Sequence, residues 1–120
     1  MTIAVTSQGP ELSSPIDIRF DLARYYIVLD TDSGEFVAHD NSPNGGRVRA
    51  LATQAAQRVI DMGVNIVVTC TIGPDAFATL QAGKVDVYIG AIGPVSNAIE
   101  QFKSGQLPCA TKPNVEAHVM

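Results

Sequence analysis

Cys70 ends the run Val64-Asn65-Ile66-Val67-Val68-Thr69-Cys70 and stands just before Thr71-Ile72-Gly73-Pro74. A β-branched run leading into Gly-Pro reads as a buried strand that turns into a helix, with proline where the helix has an unpaired N–H anyway. A thiol in such a turn lies near a helix N-terminus, which favours the thiolate, and a thiolate suits copper(I) or an iron–sulfur fragment. The same residue is also the type that fills a core as a small hydrophobe. Other groups in the chain suit an anion. Arg19, Arg24, Arg47 and Arg49 carry positive charge, and Gly45-Gly46, Gly73 and Gly93 precede predicted helices whose first N–H groups point outward. Against this, glycine pairs also shape ordinary loops, and surface arginines are ordinarily solvated or ion-paired.

The elements that must position these groups follow from periodicity. Ile3 to Thr6 reads as a buried strand, Ser7 to Arg19 as a long irregular connection, and Tyr25 to Thr31 as a second strand. Asp32-Ser33-Gly34 is a turn, after which Glu35 to His39 runs back as a third strand. Val48, Leu51, Ala52, Ala55, Val59 and Met62 recur at helical spacing up to a cap at Gly63, with Arg58 on another side of that helix. Ile66 to Cys70 and Val85 to Ile89 are predicted strands. Each runs into Ile-Gly-Pro and a helix, the first carrying Phe77 and Leu80 and the second Val95, Ala98, Ile99 and Phe102. The order β-β-β-α-β-α-β-α implies an α/β fold with a five-stranded mixed sheet and helices on both faces. Thr6, Thr69 to Thr71 and Gly90 to Gly93 should then converge at one sheet edge, the edge where open α/β sheets place ligands. Ser7-Gln8-Gly9 should reach it too, and Phe20 and Ile72 could wall it. Residues 1–106 are expected as one domain and 107–120 as a loose tail.

Composition narrows the function classes. The chain has 120 residues, 46% hydrophobic and 17% charged, enough for one globular core. A net charge of −4 and the absence of tryptophan argue against a nucleic-acid or membrane surface. No run approaches the roughly 18 apolar residues of a spanning helix, and the first residues lack the pattern of a signal peptide, so a cytoplasmic location is expected. Cys70 and Cys109 form no Cys-x-x-Cys, and His39 and His118 are isolated. A two-metal nuclease needs acidic residues on the first and fourth strands, where this chain has Ala4, Val5 and Thr6, then Val68, Thr69 and Cys70. No phosphate-binding loop, dinucleotide fingerprint or nucleophile elbow is present, so no enzyme activity is expected.

Four stretches together carry a resemblance: Ile3-Ala4-Val5, Asp17-Ile18-Arg19-Phe20, Asn44-Gly45-Gly46 and Ile72-Gly73-Pro74. In this order and spacing, over roughly residues 1–106, the chain resembles the dinitrogenase iron–molybdenum cofactor biosynthesis family, which includes NifX and the C-terminal part of NifB. The resemblance implies a ribonuclease-H-like fold and a role in binding and handing on metal–sulfur clusters. It implies a molybdenum–copper–sulfide cluster or an iron–molybdenum–sulfide precursor, with possible donor and acceptor proteins as partners. The site expected for such a cluster at the sheet edge comprises Ser7, Gln8, Gly9, Arg19, Phe20, Arg24, Gly45, Gly46, Arg47, Thr71, Ile72 and Gly73, with Cys70 as a candidate metal ligand. Two positions depart from the family pattern: Asp21 stands where many members have glycine, and Arg19 where cofactor-carrying members often have histidine. Arginine binds by charge and hydrogen bonds rather than as a metal ligand. A thiometallate is a large, soft polyanion that such groups suit, and Arg58 should be indifferent to it. The other reading of the same edge is a binding module for an anionic small molecule or nucleotide, without metal.

Overall fold

A computed structural model describes residues 1–41 and 48–114, with side chains in the first helix described from residue 52 onward. The elements are β1 (Thr2–Ser7), β2 (Tyr25–Asp30), β3 (Phe36–Asp40), α1 (Val48–Asp61), β4 (Ile66–Val68), α2 (Pro74–Ala82), β5 (Asp86–Tyr88) and α3 (Val95–Lys103), in the expected order. The sheet order is β3-β2-β1-β4-β5. β2 is antiparallel to both neighbours, while β1, β4 and β5 run parallel. Gly34, at φ 78°, makes the β2–β3 reversal in the left-handed conformation that glycine tolerates best.

Alternation along the strands divides the core in two. Ala4, Tyr26, Val67 and Val87 face α1 and α2 and pack with Ala52, Ala55, Ala56, Val59, Ala76, Phe77 and Leu80. Ile3, Val5, Ile27, Leu29, Ile66 and Val68 face the other way and pack on Val95, Ala98 and Ile99 of α3. Helices therefore cover both faces. At Gly83 a Cβ would come within 2.5 Å of the Ile60 side chain, so glycine there permits the close approach of α1 and α2.

The C-terminal segment departs from expectation. Ile89 N–H donates to Pro108 O at 3.1 Å, Ala110 N–H donates to Val87 O at 2.7 Å, and Cys109 lies opposite Tyr88. Leu107 is buried. Residues 107–110 thus lie antiparallel along β5 and satisfy its outer backbone groups rather than hanging loose, which suits a sheet edge that would otherwise stay unpaired.

A buried polar chain ties the residues after β1 to α1. Tyr26 donates its hydroxyl hydrogen bond to Phe20 O. Asn41 Nδ2 donates to Ala23 O at 2.9 Å and to the Tyr26 hydroxyl at 3.2 Å. Arg58 donates to Asn41 Oδ1 at 2.7 Å and to Asp40 O at 3.2 Å. Burial pushes the Tyr26 phenol well above its ordinary range, the Asp21 carboxylate adds to this and Arg58 opposes it, so the hydroxyl stays protonated and able to donate. Asn41→Ala should cost about 1–3 kcal/mol because it strands buried partners on three sides. Urea midpoints would check this, and a loss below about 0.5 kcal/mol would show that the chain of bonds adds little.

Candidate functional site

The predicted convergence at the ends of the parallel strands is present. Thr6 Oγ1 bonds Thr69 Oγ1 at 3.0 Å, Gly90 N–H donates to Cys70 O at 3.1 Å, and Ala91 N–H donates to Thr69 O at 3.3 Å. On the other side of this segment, residues 18–20 take the place beside β4 that β1 vacates after Ser7. Arg19 bridges Thr71 in parallel, Thr71 N–H donates to Ile18 O at 2.7 Å and Phe20 N–H to Thr71 O at 3.1 Å. The Thr71 hydroxyl also donates to Ile18 O at 3.0 Å.

Arg19 and Asp21 form the charged centre of this edge. Arg19 Nε lies 3.4 Å from Asp21 Oδ1, with the two side chains 25% and 5% exposed. Both atoms are buried, and neither has a hydrogen-bond partner. The contact is an ion pair that lacks a hydrogen bond. A guanidinium held this way keeps donors for an external acceptor.

The other expected residues divide into several groups. Arg24 is at the same edge, exposed, 4.0 Å from Asp40 and over the Tyr25 ring. Gly73 caps α2 with its carbonyl accepting from Phe77 N–H, and Pro74 occupies the first turn as predicted. Cys70 is half-buried against the α3-side core. Gly45, Gly46 and Arg47 lie outside the described residues, as does His118; the described chain leaves β3 at Asn41 on this edge and resumes at Val48.

Four expectations need correction. Phe20 and Ile72 are both fully buried in the core beneath α1 and α2, so their side chains do not wall a ligand; Phe20 stacks at 5.2 Å on Tyr26 instead. Ser7-Gln8-Gly9 spends its donors within its own loop although Gln8 is exposed: the Ser7 hydroxyl donates to Gly9 O at 2.6 Å, Gly9 N–H donates to the Ser7 hydroxyl, and Gln8 donates to Pro15 O and Ile16 O. The N-terminus of α3 is not open, because Val95 and Ser96 N–H groups donate to Ser14 O and Leu12 O; Pro94 is its N-cap rather than its first residue. Arg58 is not a bystander, since it holds Asn41 and Asp40.

The exposed apolar residues that do flank the site were not legible in the sequence. Ile18 is 58% exposed beside Thr71, Ile92 is 64% exposed on the β5–α3 connection, and Leu22 is 40% exposed. Asn114 also reaches the site. Ile72 N–H donates to its Oδ1 at 2.8 Å, its Nδ2 donates to Cys70 O at 3.0 Å, and its own N–H donates to Ile72 O at 3.1 Å. Among the described residues no three His, Cys, Asp or Glu side chains gather as a metal-binding group. No helix among them is long and apolar enough to cross a membrane. An open groove between α1 and α2, lined by Gln57, Ile60, Ala78, Thr79, Ala82 and Gly83, lies away from the strand ends.

Known proteins share this architecture. The apo form of the orange protein from Desulfovibrio gigas superposes with a TM-score of 0.90 at 33% identity, covering 95% of this chain and 96% of that one. A Thermotoga protein provisionally described as NifB, of the DUF35 family, matches with a TM-score of 0.78 at 33% identity, covering 95% of this chain and 97% of that one. An uncharacterized protein of Methanocaldococcus jannaschii is 25% identical over 109 residues, 89% of each chain. Residues 1–105 match the family described as dinitrogenase iron-molybdenum cofactor, and the chain belongs to that family.

Proposed function

We propose that this protein is a non-enzymatic carrier of a molybdenum-containing metal–sulfide cluster, of the molybdenum–copper or iron–molybdenum type, held mainly without covalent ligands. The binding edge is built around Arg19, with Arg24, Gly73 and the Gly45-Gly46-Arg47 segment contributing donors and charge and Thr71 holding the Arg19 loop in place. One observation carries this reading: the Arg19 side chain, a quarter exposed, is held by Asp21 through an ion pair without a hydrogen bond, on a loop bonded to Thr71 and flanked by exposed Ile18 and Ile92. A large soft polyanion needs this combination of unspent donors and apolar margin. Family membership supports the metal, and the lack of a gathered ligand set among the described residues supports non-covalent retention. Donor and acceptor proteins would meet the same edge, in a reducing cytoplasm that keeps both cysteines free.

The test begins with protein purified from its native host under mild conditions. Visible colour with bound molybdenum, together with copper or iron, is the expected result. Colourless, metal-free protein that still binds an organic anion would favour the metal-free binding module instead. Reconstitution of the apo protein with tetrathiomolybdate and copper(I) then separates the ligand modes. Cys70→Ser should keep uptake, with a changed absorption spectrum, because sulfides already satisfy the metals. Complete loss in a folded Cys70→Ser protein would make Cys70 a true ligand, since a neutral hydroxyl is a poor partner for copper(I).

A further inference from the structure

The segment after Ala110 crosses the candidate site and is fastened there by Asn114. Its three hydrogen bonds engage Cys70 and Ile72, the residues between the end of β4 and the cap of α2. Its Oδ1 takes the Ile72 N–H, a backbone donor of the kind an anion at this edge would use. Asn114 lies beyond residues 1–105, the part of the chain that matches the family.

The turn itself does not depend on this contact. Thr71 is bonded to Ile18 and Phe20, Cys70 O also accepts from Gly90 N–H, and Phe77 N–H anchors Gly73 O. The arm is anchored separately, by Ala110 N–H on Val87 O and by Leu107 in the core. Asn114 itself is exposed. Release would therefore expose a donor without dismantling either the turn or the edge of the sheet.

We infer that residues 111–114 form a displaceable latch, in which the Asn114 side-chain carbonyl occupies the Ile72 N–H until a polyanionic ligand takes its place. This rests on the carrier reading above and adds its regulation. The latch offers a neutral amide oxygen, whereas a thiometallate offers charged acceptors, and charge-assisted hydrogen bonds are roughly twice as strong as neutral ones. Apo protein would keep the latch closed, and ligand would open it. Ligand and latch compete for one donor, so weakening the latch should strengthen ligand binding.

Amide exchange by NMR on the full chain, with tetrathiomolybdate as the probe, tests this. In apo protein, Asn114→Ala should accelerate exchange at Ile72 while Thr71 and Phe20 amides stay protected. In wild type, saturating tetrathiomolybdate should accelerate exchange of the Asn114 amide and shift the Ile72 amide while leaving it protected. Asn114→Ala should bind the probe about three- to tenfold more tightly, the worth of one neutral hydrogen bond. Binding that leaves the Asn114 amide protected, or that weakens in Asn114→Ala, overturns the latch and leaves the carrier reading standing. Binding by Asn114→Ala alone supports the latch strongly. Binding by neither protein overturns the carrier reading and the latch together.

Discussion

Arg19→Ala is expected to weaken uptake of a tetrathiomolybdate–copper(I) assembly by one to two orders of magnitude, while Lys103→Ala at the end of α3 leaves it unchanged. The size follows from losing a charge-assisted contact at a partly buried site, roughly 1.5–3 kcal/mol. Arg58 is unsuited as the control because it holds Asn41 and the Asp40 carbonyl. The substitution has a second effect. Asp21, 5% exposed, loses the cation 3.4 Å from its Oδ1, and stability should fall by up to roughly 3 kcal/mol, less than for a fully buried pair because Arg19 is a quarter exposed. The double variant Arg19→Ala/Asp21→Asn separates the two effects, because it removes the stranded charge but does not restore the donor. Titration by visible absorbance alongside urea unfolding would read both. Recovery of uptake in the double variant would show that Arg19 serves the fold rather than the ligand.

Phe20→Ala should be strongly destabilising, at about 3–5 kcal/mol, because it empties a fully buried ring site next to Tyr26. That is a large share of the roughly 5–15 kcal/mol typical of a whole domain, so the variant is expected to unfold at a much lower urea concentration than wild type. Phe20→Leu keeps an apolar side chain in the same place and should stay folded with a smaller loss. Its uptake of the thiometallate assembly should match wild type, since the ring contacts Tyr26 and core residues rather than solvent. Unchanged urea midpoints combined with lost uptake in Phe20→Leu would return this residue to the ligand's wall. The pairing of one charged and one apolar residue in Arg19-Phe20 thus divides into two roles: the charge is partly exposed, and the ring anchors the loop that carries it.

The legibility of the site differs between elements in a consistent way. The paired Ile-Gly-Pro units, the two-residue alternation of Ile3 to Val5 and Ile66 to Val68, and the helical spacing of Val95, Ala98 and Ile99 are local signals. Local signals suffice for strand direction, and parallel direction suffices to gather Thr69, Cys70 and Gly90 at one edge. The sequence alone therefore determined the element order, the two covered faces and the edge at which the parallel strands end together. It also picked out Arg19, which the fold brings beside Thr71 at that edge.

Only tertiary structure decided which side of each loop faces inward. The Thr71 hydroxyl finds Ile18 across 53 residues, Ile72 N–H finds Asn114 across 42, and Arg58 finds Asn41 across 17. No period or turn preference encodes such partners, because each is selected by polar groups that must be satisfied once the sheet has formed. Phe20 and Ile72 therefore look alike as wall or as core until residues 18–20 settle beside β4. Ile18 and Ile92 look like ordinary loop residues until that settling leaves them outside. The same requirement draws residues 107–110 onto β5, where its outer backbone groups need partners, although Pro108 and Pro113 make the stretch from Gln106 onward read as a tail. Periodicity specifies surfaces that pair along an element, whereas loop side chains are assigned by the long-range hydrogen bonds that the finished sheet leaves open.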